Sequence, residues 1–543
     1  MPTKQKSKKK SKSKSKKKGK PAAPAISKKE LAARKRQRAK QIQKVIGDLV
    51  TYGGLGLVIG ITLFFVAEPK IALAGGGGIV VLGLSFKYPI LGLWGFMIYM
   101  PFAGTVTYWI GGGSPIFQLA KDGFFIPAMI GIGMWCKQTG NPFIIPKALK
   151  NPLYLLLGFC LLTLVMVNGA QQLDPPRPGD QPIGMGILGL KAMIGYLPLI
   201  TGAYYKLKSK KELLFAARLT LILAIICCLL GIVQYQFLAS GKCNGTRGLT
   251  GGELFKASLE AKCLIGGALL FSPSQGVIRL PGTFVAPWQW GWFLISNAAF
   301  TFAVAFSDPS PLWRIGGLLG MAVVFVNAAI SGQRIALALV PTVTIILLVL
   351  TGQIANLKKF LPIGIGLGVV LGGAIVSNPA VVQERIDSFI SRWQASPPTA
   401  FITQQFEESS HSQEGFFGNG LGRATNSARV FGRTRLIETY YPKLIYEIGP
   451  IGTIAMLVLL TSITVAGFKA YRSVKDKNLR SLGASYWVFV LIISYNTYYY
   501  PLDVDPVAVY YWYFAGVVFR LPVIDKQEQA RIKAEEEMEN DKK

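Results

Sequence analysis

Long apolar runs separated by short polar connections dominate the chain from residue 45 onward. The first run is Leu49–Ala67. Thirteen more follow, at 71–86, 89–110, 122–136, 152–169, 188–204, 214–238, 287–306, 315–330, 335–350, 361–376, 449–467, 482–496 and 507–519. Roughly 20 apolar residues in a helix cross a bilayer core of about 30 Å. Several runs are shorter, which sets the expectation at about 12–14 transmembrane helices. The predicted fold class is an all-α polytopic membrane protein, with a helical domain over residues 45–520. Two separations are too long for simple connections, 239–286 and 377–448. Irregular backbone leaves the lipid or is buried in protein. Both segments are therefore expected as external loops, where sites on rigid scaffolds are commonly found.

Composition agrees with this pattern. Hydrophobic residues make up 51% of the 543 residues and charged ones 16%, against about 25% charged in soluble domains. The formal net charge is nevertheless +32. Residues 1–44 hold 19 Lys and Arg against the single acid Glu30, leaving +14 for the remainder. Low complexity marks the Lys-rich leader 1–44 as a disordered cytoplasmic tail, with 28–44 entering the first run as a basic helix. Such a tail anchors topology and touches anionic lipid. No nucleic-acid-binding domain accompanies it. Residues 521–543 read as a second charged cytoplasmic tail. Alternating the runs from a cytoplasmic N-terminus gives every inner connection positive charge, including Lys87, Lys137, Lys206, Lys208 and Lys358. That is the positive-inside pattern, and it places both termini in the cytoplasm of a plasma (inner) membrane protein.

Cys136, Cys160, Cys227 and Cys228 fall in apolar runs and read as packing residues. Cys243 and Cys263 share the first external loop, where either a disulfide or two free thiols fits an oxidising compartment. His411 is the sole histidine, which excludes a multi-histidine metal site, and no Cys/His spacing resembles zinc ligation. No metal or other cofactor is expected.

Ten arginines fall on the expected outer side, against the positive-inside tendency: Arg177, Arg247, Arg279, Arg334, Arg385, Arg392, Arg423, Arg429, Arg433 and Arg435. Guanidinium groups grip phosphate oxygens in a bidentate fork. Arg279 precedes a run and Arg334 sits at the turn between two runs. Both positions fit the diphosphate of a lipid carrier, and interfacial snorkelling is the simpler role. In the larger loop, Gly418, Gly420 and Gly422 with Arg423 form a glycine-rich segment that lets backbone approach a ligand. It is no dinucleotide fingerprint, because no βαβ unit surrounds it. The aromatic run Tyr495–Tyr513 reads as an interfacial belt, with a sugar-stacking platform as the sharper alternative.

Four segments in order carry a resemblance: Arg279-Leu-Pro-Gly-Thr-Phe284 opening a run, Ser331-Gly-Gln-Arg334 before a run, Gly415-Phe-Phe-Gly-Asn-Gly-Leu-Gly422, and Tyr446-Glu-Ile-Gly-Pro-Ile-Gly452. Over roughly residues 270–470 the chain resembles the O-antigen ligase and polymerase superfamily, with its Wzy C-terminal domain pattern. The branch suggested is that of hormogonium polysaccharide biosynthesis. The resemblance implies a ligase-like helical fold and an outer-face transfer of saccharide from a polyprenyl diphosphate carrier to an acceptor hydroxyl. It implies carrier binding by Arg279 and Arg334, with Arg423 and the glycines beside them. The implied partners are the lipid-linked saccharide, membrane lipid and other polysaccharide-assembly proteins. Many members carry a His about nine residues ahead of the Glu-x-Gly motif. Here that position is Glu438, expected to serve as the catalytic base or to bind the acceptor. Two other functions fit the composition: a non-catalytic membrane factor of polysaccharide assembly, and a bicarbonate-type anion transporter, which needs a charged or broken-helix site near the midplane.

Overall fold

The computed structural model describes residues 28–114, 117, 119–251, 261–267, 269–273, 277–354 and 397–540, with isolated positions between 379 and 394. The leader to residue 27, the run 361–376, Arg385 and Arg392 lie outside the described residues. The chain divides into two units, residues 1–48 with 527–543, and residues 49–526. The cavity described below belongs to the second.

Each expected run among the described residues falls on a helix. Among the described residues, ten helices are long and apolar enough to cross a membrane; the expectation of 12–14 covers the whole chain, including the run 361–376. Arg334–Leu350 is only 17 residues long. Ala120–Thr139 carries Lys121 and Asp122 in its first turn, and Lys477–Tyr495 carries Lys477 and Arg480. The described helices named here are α1 Lys28–Val66, α2 Pro69–Lys87, α3 Pro89–Tyr99, α4 Ala120–Thr139, α5 Lys150–Leu162, α6 Pro182–Ile194, α7 Leu199–Lys206 and α8 Lys210–Ala239. Then come α9 Pro287–Ser307, α10 Pro311–Ile330, α11 Arg334–Leu350, α12 Pro398–Ser412, α13 Tyr440–Arg472, α14 Lys477–Tyr495 and α15 Val507–Asn540. Proline opens α2, α3, α6, α9 and α10. Its fixed φ suits the first turn, and it has no N–H to leave unpaired there.

Hydropathy does not say which helices are central. In α9, 94% of the most apolar window is buried by protein; in the span Ile42–Val66 of α1 only 6% is. Helix α9 packs on α8, α10, α11 and α14 and contributes Trp290, Trp292, Phe293 and Phe300 to the core. Aromatic bulk fills the space between helices, where no lipid tail reaches.

Two expectations are corrected. The segment 377–448 is not all loop. It contains α12, and α13 starts at Tyr440, ahead of the expected 449. Gly449, at φ 71°, interrupts α13, so the apolar run marked only its second part. The charged tail from 521 is helical to Asn540, as the continuation of α15. Tyr510, Tyr511, Trp512 and Tyr513 are neither belt nor platform: they are buried in the bundle core, since α15 is enclosed by other helices.

The 239–286 segment folds onto the end of α8. Cys243 and Cys263 are joined by a disulfide. Strands β1 Leu270–Ser272 and β2 Val277–Arg279 pair antiparallel, with Leu270 opposite Arg279. Thr246 Oγ1 accepts the Phe271 N–H at 2.9 Å, and Arg247 donates to the Leu238 carbonyl at 2.7 Å. Leu238, Cys263, Leu269, Phe271, Ile278 and Leu280 form a small separate core beneath it.

Candidate functional site

Arg279 and Arg334 are 55 residues apart in sequence, and one glycine lets them meet. Gly332 lies in the turn between α10 and α11 at φ 67°. A Cβ there would stand 1.7 Å from the Ile278 carbonyl oxygen. Without one, the turn presses onto β2, and the Leu280 N–H donates to the Ser331 carbonyl at 2.9 Å. Arg279 at the end of β2 and Arg334 at the start of α11 then line one cavity.

That cavity has a volume of about 530 Å³. Glu438, Arg429 and the consecutive Tyr498, Tyr499 and Tyr500 also line it. Glu438 precedes α13, and its N–H donates to Gln405 Oε1 of α12 at 3.0 Å. The tyrosine segment is tied to the same stretch. Thr439 and Tyr498 form an antiparallel bridge, and the Tyr440 N–H donates to the Thr497 carbonyl at 2.6 Å. Trp292 Nε1 donates to the Tyr499 carbonyl at 3.3 Å, and Asn426 Nδ2 to the Tyr500 hydroxyl at 3.3 Å. Tyr499 and Tyr500 have φ of 56° and 29°, a conformation costly for residues with a Cβ and concentrated at functional sites.

Among the described residues, the lining holds three guanidinium groups against one carboxylate. That balance selects an anion, and partial burial strengthens the selection because screening by water is reduced. Gln333 Nε2, buried in the same lining, has no hydrogen-bond partner among the described residues. Burial pushes the hydroxyls of Tyr498 and Tyr500 up to about 12. The Glu438 charge adds to the rise at both, while Arg334 partly offsets it at Tyr498. Both are therefore neutral hydrogen-bonding groups at ordinary pH. Trp288 and Trp292 stand one helical turn apart at the start of α9 and give the cavity an apolar wall.

Arg423 goes elsewhere. It is buried, with Nη1 2.8 Å from Asp180 Oδ2, while Nε and Nη2 donate to Gln171 Oε1 at 3.0 and 2.7 Å. Gly418, Gly420 and Gly422 do not line the cavity either. All three have positive φ. Added Cβ atoms would meet Gly449 N at 2.6 Å, the Asn168 side chain at 3.1 Å and the Met185 carbonyl at 2.0 Å. The glycines let loop backbone lie directly on α13 and α6. Asn168 Oδ1 accepts the Leu421 N–H at 2.9 Å and its Nδ2 donates to the Leu421 carbonyl at 3.0 Å.

Glu447 secures the next stretch. Its Oε1 accepts the Ala424 N–H at 2.7 Å and the Thr425 hydroxyl at 3.0 Å. Its Oε2 lies 3.9 Å from Lys443 Nζ, which also pairs with Asp503. This buried trio ties α13 to the segment just after the tyrosines. His411 is exposed near the end of α12, and Arg435 lies over the Tyr446 ring at 5.4 Å.

Sequence reasoning did not single out Gln333, Asn426, Trp288 or Trp292. The two tryptophans had a legible signal, an i, i+4 spacing that puts both on one helix face just after Arg279. Asp180 had none, since only the fold brings it to Arg423. Neither a protein-family model nor a curated protein sequence matches the chain.

Proposed function

We propose that the protein is a membrane-embedded glycan ligase or polymerase, moving saccharide from a polyprenyl diphosphate carrier to an acceptor hydroxyl. The observation that carries this reading is the meeting of Arg279, Arg334 and Glu438 in one cavity at the helix ends. Arg279 and Arg334 hold the diphosphate and offset the charge that grows on it as it leaves. Glu438 takes the proton of the acceptor hydroxyl. The hydroxyl oxygen bonds to the anomeric carbon as the carbon–oxygen bond to the diphosphate breaks. Neutral Tyr498 and Tyr500 with Trp288 offer hydrogen bonds and aromatic faces to the sugar. A cavity at helix ends, rather than a broken-helix site at midplane, favours this reading over an anion transporter.

The test is polysaccharide output from cells carrying Arg279→Ala or Arg334→Ala in protein that still inserts. Losing one preorganised cation is expected to lower output about 10²–10³-fold. Undiminished output from both variants overturns the reading.

A further inference from the structure

The segment that carries the three cavity tyrosines runs from Asn496, just after α14, to Pro506, just before α15. Its first half is tied to the start of α13 through Thr439 and Tyr440. Its second half is a 3₁₀ turn, Pro501–Asp503, followed by Val504 and Asp505. Leu502 and Val504 are buried, and Asp503 and Asp505 alternate with them.

Each of these carboxylates meets a lysine from a different helix. Asp503 pairs with Lys443 of α13, both side chains being buried, and Asp505 pairs with Lys121 of α4. Lys121 is the second residue of α4 and Lys443 the fourth of α13. A cation in the first turn opposes the helix dipole, so the dipole favours neither lysine where it stands. Between the two tethered halves lie Tyr499 and Tyr500, with φ of 56° and 29°. Such backbone persists only where its surroundings over-determine it. Ion pairs taken out of water are a weak source of stability, and apolar pairs of similar volume often do as well. What a buried pair adds is a single permitted arrangement.

We propose that Lys121 and Lys443 are positioning residues for the transfer reaction. Through Asp505 and Asp503 they fix the segment 496–506, so that Tyr498 and Tyr500 stand in the arginine-lined cavity with Glu438. This rests on the transfer reading of that cavity. Neither lysine is among its described lining residues, so both act through the segment. Lys443 also lies beside Glu447, which holds Ala424 and Thr425 just ahead of the lining residue Asn426. One ammonium therefore supports two walls.

The test replaces the Lys121–Asp505 pair by an apolar one, Lys121→Met with Asp505→Leu, in the full chain. The melting temperature in detergent is expected to stay near wild type or rise. Backbone hydrogen exchange over residues 496–506, read by mass spectrometry, is expected to speed up about tenfold while the helices keep their protection. Polysaccharide output is expected to fall by up to about 10²-fold, the scale of a small misplacement at a reacting site. Asp503→Asn, which leaves Lys443 its Glu447 neighbour, is expected to act in the same direction. Lys121→Arg, which keeps the pair, is expected to match wild type in exchange and output. Unchanged exchange over 496–506 in both altered pairs overturns the proposal, and so does faster exchange with undiminished output. Loss of protection throughout the bundle also overturns it, because the pairs then hold the fold and not the segment. These failures leave the transfer reading standing, since Arg279→Ala and Arg334→Ala test that separately.

Discussion

The glycine-rich segment 415–425 and the arginine-lined cavity adjoin at Asn426, and they treat positive charge differently. In the segment, Arg423 is enclosed by Asp180 and Gln171, and its donors are spent on holding loop to helix. In the cavity, Arg279, Arg334 and Arg429 line a shared space with one carboxylate among its described lining residues. The first arrangement rivets loop to helix, and the second lines a cavity that we propose receives an anion. An arginine's place is set by the fold, not by the motif around it.

That contrast can be broken by mutation, beginning with the rivet. Asp180→Ala leaves the Arg423 guanidinium buried without its partner, which costs about 3–5 kcal/mol. Thermal unfolding of the solubilised protein is expected to show the loss. Arg279→Ala, by contrast, is expected to leave the melting temperature near wild type. An equal drop in both would erase the distinction between the two regions.

Arg334→Lys sharpens the receptor side. Lysine keeps the charge but not the planar fork that fits phosphate oxygens. Polysaccharide output is expected to fall between wild type and Arg334→Ala. Full activity in the lysine variant would mean that charge alone matters there.

Gly332→Val strikes the device that builds the receptor. Valine is unfavourable at φ 67°, worth about 1–3 kcal/mol for the backbone alone, and its Cβ meets the Ile278 carbonyl. Output is expected to fall further than the stability loss explains, because Arg334 moves away from Arg279. Unchanged output would show that the turn need not touch β2.

The smallest effect concerns the tyrosines. Tyr498 and Tyr500 titrate near 12 when folded, against about 10 in an unfolded chain. Between those values the native state holds protons that the unfolded chain has released, so stability falls as pH rises from about 10 to 12. Tyr498→Phe is expected to remove part of this late tyrosinate absorbance change. An absorbance titration ending near pH 10 would place both hydroxyls in water.

The helices were legible because apolar runs of spanning length admit few structures in lipid, and proline marks several of their starts. Arg279, Arg334 and Glu438 were also legible as candidates, at loop–helix junctions. Arg423 was misleading, because its flanking glycines look the same whether they approach a ligand or a helix. Its partner Asp180 lies 243 residues away, and no local pattern joins them. Tyr498 and Tyr511 belong to one aromatic run, yet one lines the cavity and the other is fully buried.

The sequence by itself determined that this chain is a multi-pass helical membrane protein with basic connections and an unusual set of arginines. Those properties are set by composition over some twenty residues, the length over which a bilayer acts on a helix. The tertiary structure alone decided that α9 is enclosed by protein, that Arg423 is consumed by Asp180, and that Gly332 lets Arg334 stand beside Arg279. Those outcomes depend on close packing between distant segments, where one absent Cβ or one buried carboxylate selects the arrangement.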